Sequence, residues 1–130
     1  MCSELLCELH LDGCGLQGPI PQLRLPGCKI VYMSDNQLTG GLEPLALCTA
    51  LEEIGLDGNQ LTGTLEPLMG LTQLRVLNLT DNQLSGSLEP LQGFAALERL
   101  DLAGNEFTGG LDPLKGCTSL QGLGLERPRG

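Results

Sequence analysis

The chain has 130 residues, a length that accommodates one domain with a modest hydrophobic core. Sixteen acidic and seven basic side chains give a formal net charge of −9, which disfavours nucleic acid and anionic membrane surfaces as partners. Aromatic residues make up only 2% of the chain, and glycines number 19. Because an ordinary core depends on aromatic side chains for much of its buried area, this composition indicates a small unit repeated many times.

The N-terminal residues carry no sign of a targeting segment. Residues 1–9 lack a basic stretch followed by an apolar one, so the sequence predicts no signal peptide. No apolar run approaches the ~20 residues that a transmembrane helix needs, so we expect no transmembrane segment. These features predict an intracellular or organellar protein, with a secreted and already processed chain as the alternative.

A repeat of 23 residues runs through the chain. Asparagines recur at positions 36, 59, 82 and 105, each followed two residues later by an apolar side chain. Cys14 takes the corresponding place one slightly shorter repeat earlier. When this asparagine is numbered position 9, repeats start near residues 6, 28, 51, 74, 97 and 120. Positions 1, 4, 6, 11 and 15 are then apolar in every repeat that covers them.

Positions 3 to 7 of each repeat alternate between outward and inward residues, a pattern typical of a short strand with positions 4 and 6 buried. Because one repeat cannot bury its own leucines, the repeats must stack ~4.8 Å apart as a parallel sheet. The asparagines would then form a ladder of hydrogen bonds to the backbone of the turns. Strands are predicted to centre near Leu9, Val31, Ile54, Leu77, Leu100 and Leu123.

The pattern Leu-x-x-Leu-x-Leu-x-x-Asn-x-Leu resembles that of the leucine-rich-repeat family from about Leu5 to Leu125. The segment Leu16-Gln-Gly-Pro-Ile-Pro21 is similar to the plant and algal type, and later repeats read Gly-Leu-Glu-Pro-Leu. The resemblance implies an α/β solenoid, an arc of about six rungs with a parallel β-sheet on its concave face. Short helical turns or loops would form the convex face, and residues 1–130 would make up a single domain.

Four repeats place an acidic residue directly before a proline. An acid followed by proline predicts the start of a helical turn, in which the carboxylate caps free N–H groups and proline takes the first helical position. Glycines at 70, 93 and 116 would end these turns. A cation site made by the stacked acids is the alternative. The pairs are Glu43-Pro44, Glu66-Pro67, Glu89-Pro90 and Asp112-Pro113.

The six cysteines do not follow the pattern of a disulfide framework. Cys48 and Cys117 share position 21, which is apolar in the other repeats, and lie roughly 15 Å apart by the stacking distance, too far to bridge. Cys28 replaces a core leucine, and only Cys2 and Cys7 could pair locally. Mostly free thiols favour a reducing compartment. Without a Cys-x-x-Cys spacing there is no zinc motif, and we expect no metal and no cofactor.

The single histidine, His10, is expected to face outward on the first strand. Nucleophilic catalysis requires such a base beside a serine or cysteine, oriented by a third group, and the neighbouring positions do not supply this arrangement. The glycines follow the repeat period and form no phosphate-binding motif. The sequence therefore predicts a non-enzymatic protein.

The outward positions of the strands, taken as positions 3, 5, 7 and 8 of each repeat, would form a shallow, acidic concave face with few aromatic side chains. Contacts that dominate protein interfaces usually centre on Trp, Tyr or Arg. We therefore expect a protein–protein interaction module, with a basic protein or an adjacent subunit as partner. The candidate contact residues are Tyr32, Asn78, Arg99, His10, Glu53 and Asp101.

Two further functions fit the repeat. Terminal rungs would expose their leucines, so we expect flanking sequence, a partner subunit or self-association to cover at least one end of the solenoid. This would make the chain an accessory or assembly subunit of a larger complex. The hydroxyl residues at position 12, with Thr64 and Ser87 two residues further on, are similar to the arrays of ice-binding solenoids, which gives a third, minor alternative.

Overall fold

In a computed structural model, which describes residues 8–125, the repeats stack as the rungs of a parallel solenoid. The odd-numbered strands form one six-stranded sheet, and each pairs with its neighbour at equal repeat positions. This confirms the leucine-rich-repeat architecture and all six predicted strand centres. The strands are β1 Glu8–His10, β2 Gln17–Pro19, β3 Ile30–Tyr32, β4 Gln37–Thr39, β5 Glu53–Gly55, β6 Thr62–Gly63, β7 Val76–Asn78, β8 Gln83–Gly86, β9 Arg99–Asp101, β10 Glu106–Phe107 and β11 Gly122–Gly124.

The even-numbered strands form a second line of parallel pairing, which the sequence analysis did not predict. Strands β2 and β4 pair with each other, and β6, β8 and β10 form a three-stranded sheet. The glycine at position 13 lies inside β2 and at or shortly after the end of the other short segments, with φ between +79° and +93° in all five repeats that contain it. Side chains strain such a backbone, and this explains why the position is always glycine. These glycines are Gly18, Gly40, Gly63, Gly86 and Gly109.

Four one-turn 3-10 helices lie on the convex side of the described residues, at Glu43–Leu45, Glu66–Leu68, Glu89–Leu91 and Asp112–Gly116. The prediction that the carboxylates cap them is wrong. The residue before each helix is a leucine, whose side chain cannot cap it, and the acid is the first helical residue and proline the second. The leucine is required there because it belongs to the core in three of the four repeats.

The core is one continuous cluster of aliphatic side chains that runs along the solenoid. At positions 4 and 6 of the four inner rungs the side chains are buried. They include Leu56, Leu79 and Leu102, whose burial confirms the predicted strand register. The predicted burial is wrong for Leu123 on β11, which is 44% exposed. A strand at the edge of the sheet packs against one neighbour, whereas an inner strand packs against two.

The asparagine ladder is confirmed in the described repeats. Asn82 illustrates it: its Oδ1 accepts a hydrogen bond from the backbone N–H of Leu61 at 3.0 Å, and its Nδ2 donates to the carbonyls of Leu56 and Leu79 at 3.0 and 3.1 Å. Each asparagine therefore joins its own rung to the preceding one. Asn36, Asn59 and Asn105 make equivalent contacts.

Three of the cysteines are core residues, as their repeat positions predicted. Cys28, Cys48 and Cys117 are buried, whereas Cys14 at the ladder position is exposed. Burial raises the pKa of the Cys48 and Cys117 thiols. The predicted local pairing of Cys2 with Cys7 falls outside the described residues.

Candidate concave-face binding site

The concave face consists of the outward side chains of the odd-numbered strands and of the residues that immediately follow these strands. Several large side chains on this face lean across to the next rung and cover a glycine there. A β-carbon added to Gly55 would overlap the ring of Tyr32, and one added to Gly124 would overlap the carboxylate of Asp101. A larger residue followed by glycine at the same position of the next rung therefore shapes the surface in these two places.

Tyr32 is the centre of the best-defined cluster on this face. Its ring lies over Gly55 on β5, and its hydroxyl donates a hydrogen bond of 2.5 Å to Oε1 of Glu53 on the same strand. The His10 ring stacks against Tyr32 from the other neighbouring strand, with ring centroids 5.4 Å apart and planes inclined by 26°. His10 Nε2 also contacts Oε1 of Glu8 at 2.9 Å. The ring of Tyr32 is thus positioned from both neighbouring rungs.

Carboxylates dominate the electrostatics around this ring. The hydrogen bond to Glu53 raises the pKa of Tyr32 to about 12, with further contributions from burial and from the charges of Glu53, Asp12 and Asp57. Asp12 also accepts the backbone N–H of Ser34 at 2.6 Å, and Asp57 accepts the Ser34 hydroxyl at 2.6 Å. The two rungs that flank Tyr32 therefore present negative charge around one aromatic side chain.

The structure brings three of the six predicted contact residues together, namely His10, Tyr32 and Glu53. The other three lie on β7 and β9, where Asn78 is directly opposite Asp101 and Arg99 is exposed. Within residues 8–125, Arg99 forms no ion pair. The face therefore divides into an acidic aromatic half and a mixed polar half.

A row of alternating charges along one edge of the face escaped the sequence analysis. Arg75 contacts Glu98 at 3.3 Å, Glu53 at 3.7 Å and Glu52 at 3.8 Å, and Lys29 contacts Glu52 at 4.0 Å. These carboxylates, Glu98 first, raise the pKa of Arg75. The available signal was position 2, which reads Lys, Glu, Arg and Glu in successive repeats. Arg75 is therefore paired with three carboxylates of its own chain.

Position 8, which the sequence analysis placed on the outward strand surface, lies in a left-handed turn. Asp35 and Asp81 adopt φ of +55° and +59° there, and the other repeats whose position 8 falls within residues 8–125 place glycine there with φ of +60° to +72°. Aspartate tolerates this backbone better than most residues. The two carboxylates lean over Gly58 and Gly104 of the following rungs, so these acids also have a structural reason for their position.

The hydroxyl residues of the second strand line do not form an uninterrupted array. Thr64 and Ser87 accept hydrogen bonds of 3.3 Å from the backbone N–H groups of Glu66 and Glu89, at the start of two 3-10 helices. Gly41 and Gly110 occupy the equivalent position in other repeats. At least two of the hydroxyls thus stabilise the start of a helical turn.

The described residues show few features of a catalytic or metal centre. No serine, threonine or cysteine in residues 8–125 is hydrogen-bonded to His10, which contacts Glu8 and Tyr32 instead. Over the same range, His, Cys, Asp and Glu side chains nowhere come together in a group that could hold a metal ion. In this part of the chain no helix is long and apolar enough to cross a membrane.

Comparison with solved structures gives matches to plant receptors and to a bacterial internalin. The plant peptide hormone receptor RGFR1 in complex with RGF2 is 29% identical with a TM-score of 0.88, over 95% of this chain and 21% of the receptor chain. The ectodomain of the receptor kinase SOBIR1 from Arabidopsis thaliana is 29% identical with a TM-score of 0.81, over 93% of this chain and 73% of that one. The internalin InlF from Listeria monocytogenes is 25% identical with a TM-score of 0.77, over 93% and 35% of the two chains.

This chain therefore spans only about a fifth of the hormone receptor that it resembles. A comparison with curated protein sequences found no match. Two family profiles do match the sequence: one for two copies of the leucine-rich repeat, over residues 49–93, and one for a single leucine-rich repeat, over residues 96–117. With these matches and the stacked rungs, the chain belongs to the leucine-rich-repeat family.

Proposed function

We propose that this chain is a non-enzymatic protein-binding module whose partner lies across the concave face and presents positive charge to Tyr32. The observation that carries the proposal is the fixed aromatic ring among carboxylates. Because Gly55 lies beneath the ring and Glu53 holds its hydroxyl, Tyr32 loses little conformational freedom when a partner binds. Pre-positioned aromatic side chains are typical of residues that dominate binding energy.

The charge of the surrounding residues favours a cationic partner. Glu8, Asp12, Glu53 and Asp57 belong to the two rungs that flank the ring, and Arg75 is engaged by three carboxylates. A lysine or arginine of the partner would gain attraction from the acids around Tyr32. An acidic partner would meet repulsion at the same place.

Solved relatives support a peptide or protein as the partner class. RGFR1 is a plant peptide hormone receptor whose structure contains RGF2, and the receptor kinase HAESA was solved in complex with the peptide hormone IDA. The fold that this chain shares with them offers an open sheet rather than an enclosed cleft. We infer that an extended segment of a protein is the kind of ligand that fits such a surface.

Binding of labelled basic, neutral and acidic peptides of equal length, followed by fluorescence anisotropy, tests the proposal. We expect the basic peptide to bind more tightly than the other two and its affinity to fall with added salt. Tyr32→Ala should weaken binding at least tenfold. Met69→Ala, a change at an exposed residue outside the concave face, is the matched control. Equal binding of the acidic peptide, or full binding by Tyr32→Ala, would contradict the proposal.

Two alternatives predict different outcomes. An accessory subunit of a larger complex would co-purify with fixed partners through the ends of the solenoid, and Tyr32→Ala would leave that complex intact. An ice-binding protein would show thermal hysteresis that depends on Thr62 and Thr64 rather than on the concave face.

A further inference from the structure

Asn78 is the one asparagine of this chain that stands outside the ladder. The sequence has five asparagines, and only Asn78 is followed by a hydroxyl residue two places later, in the triplet Asn78-Leu79-Thr80. This triplet is the acceptor signal for attachment of an N-linked oligosaccharide in a secreted chain. We propose that Asn78 is a glycosylation site and that its glycan regulates access to the concave face.

The local geometry leaves the reactive atom of Asn78 available. Its Oδ1 accepts hydrogen bonds from the backbone N–H of Thr80 at 3.1 Å and from the Thr80 hydroxyl at 2.8 Å. Its Nδ2 has no hydrogen-bond partner among residues 8–125, and no buried polar side-chain atom there is unsatisfied, so this nitrogen reaches solvent. The threonine of the triplet thus orients the carboxamide and leaves its nitrogen free.

The ladder asparagines show the opposite arrangement. The Nδ2 of Asn82 donates to three backbone carbonyls, those of Leu56, Leu79 and Thr80, and the side chain is buried. Asn36, Asn59 and Asn105 are engaged in the same way. A sugar on any of these nitrogens would break the ladder, whereas a sugar on Asn78 breaks no hydrogen bond of the fold.

The modification is a substitution at the anomeric carbon of the donor sugar. The donor is an oligosaccharide linked to a lipid through diphosphate, and a membrane-bound transferase of the secretory route brings the two together. A bond forms between Nδ2 of Asn78 and the anomeric carbon, the bond from that carbon to the diphosphate oxygen breaks, and the lipid diphosphate leaves. The amide nitrogen gives up one proton to a base of the transferase.

The site lies on the surface to which we assign binding. Asn78 on β7 is directly opposite Gly55 on β5, the glycine that the Tyr32 ring covers. The ring and the attachment point of the sugar would therefore stand about one rung apart, roughly 5 Å, which is less than the width of a branched oligosaccharide. A chain that passes through the secretory route would carry a covered concave face, whereas a chain made in the cytosol would carry an open one.

Mass spectrometry of the chain purified from the cells that make it tests the modification. We expect the peptide with Asn78 to carry hexosamine-containing glycan, and enzymatic removal in ¹⁸O-water to convert Asn78 to labelled aspartate. Thr80→Ser should keep the glycan, and Thr80→Ala should lose it. Circular dichroism of both variants checks that they fold. An unmodified Asn78 in the native chain would overturn the site.

A second measurement tests the regulatory effect separately from the proposed binding function. The basic peptide used above should bind the enzymatically deglycosylated chain at least tenfold more tightly than the glycosylated one. Equal affinity, with Tyr32→Ala still weakening both, would overturn the effect of the glycan and leave the binding surface intact. Failure of the peptide to bind the deglycosylated chain would instead count against the proposed function, while the glycan itself would still be seen by mass spectrometry.

Discussion

The ring of Tyr32 is held against the sheet by two residues of the following rung. Gly55 provides the space beneath it, and Glu53 accepts its hydroxyl. Neither contact involves a sequence neighbour of Tyr32, since the two residues lie more than twenty positions along the chain. At the scale of single residues, the character of this surface thus depends on pairs of equivalent positions in consecutive repeats.

Titration of the tyrosinate absorbance should give Tyr32 a pKa of about 12, because it is the only tyrosine in the chain. The folded state favours the neutral phenol. The hydrogen bond between the Tyr32 phenol and Glu53 therefore stabilises the fold fully at pH values below the ordinary tyrosine pKa of 10.0. This stabilisation is lost as the pH rises through the folded-state pKa of about 12. Glu53→Gln should lower the pKa towards 10.0, whereas Asp101→Asn on β9 should leave it unchanged. An ordinary pKa in the native chain would disprove the contact.

Gly55→Ala should displace the Tyr32 ring, because the new methyl group would occupy the space of the ring. We expect the pKa of Tyr32 to fall and binding of the basic peptide to weaken, with little change in stability, since the ring can swing into solvent. Gly70→Ala is the matched control, because a β-carbon there meets open space. Unchanged titration and binding in Gly55→Ala would show that the ring does not need this position.

The thiols should divide sharply in reactivity. In native buffer, iodoacetamide should modify Cys14, which is exposed, and leave Cys48 and Cys117 unmodified, because only the thiolate reacts and both thiols are buried with a raised pKa. Denaturation should expose all three to the reagent. Peptide mapping by mass spectrometry assigns each site, and rapid native labelling of Cys48 would contradict the repeat alignment.

At this scale the sequence predicted the side of the sheet on which each residue lies but not its contacts. Repeat position alone placed Tyr32 and Glu53 on the outward surface. Their hydrogen bond also requires the Tyr32 side chain to lean over the next rung, and this is possible because the equivalent position there is Gly55. For the same reason position 8 was misassigned, because its left-handed backbone reflects the turn geometry and not the strand period.

At the scale of elements, the ladder asparagine connects three segments of backbone. Asn82 bonds to the N–H of Leu61 on the rung before it and to carbonyls on both rungs. These backbone groups are shielded from water, so their bonds must come from the side chain. The asparagine therefore fixes the point at which the chain leaves the main sheet and approaches the second strand line.

Asn82→Ala should lower the free energy of unfolding by about 3 kcal/mol, because it leaves buried backbone donors and acceptors without partners. Urea denaturation measures this change. Gln83→Ala, at the exposed neighbour on β8, should change the stability little. Equal stability of the two variants would mean that water replaces the amide without cost.

The strands and the ladder were predictable because each repeat supplies the same inward residues at the same spacing. The helical turns were predicted in place but with the wrong capping residue. The acid-proline pair suggests a helix in which the acid is the N-cap residue. In the structure the helix is a 3-10 turn that begins at the acid, and the N-cap residue is the core leucine before it. The second strand line was missed because a segment of two to four extended residues is too short to show a detectable alternation of apolar and polar residues.

At the scale of the whole molecule, stability should vary along the solenoid. A central rung packs against two neighbours and an edge rung against one, and the core is continuous between them. Length, composition and repeat period were enough to predict this architecture, since stacking is the only way to bury so many leucines. The identity of the partner depends on outward surface residues, and the repeat pattern of the core does not constrain these.

Leu77→Ala on β7 should cost about 3–4 kcal/mol of unfolding free energy, because the side chain is fully buried between two rungs. Leu123→Ala on β11 should cost less than half as much, because Leu123 is 44% exposed. Chemical denaturation of both variants compares the same substitution at the same repeat position. Equal losses would indicate that a further contact covers Leu123.

Because outward side chains such as Tyr32 lean over the following rung, the gain or loss of one repeat would change their contacts. Removal of residues 51–73 would preserve the stacking period and bring β3 against β7. Tyr32 would then meet Asn78 in place of Gly55 and lose Glu53 altogether. Loss of one repeat would therefore leave the packing of the hydrophobic core unchanged but alter the outward contacts of the preceding repeat. The repeats are interchangeable in the core but not on the concave face.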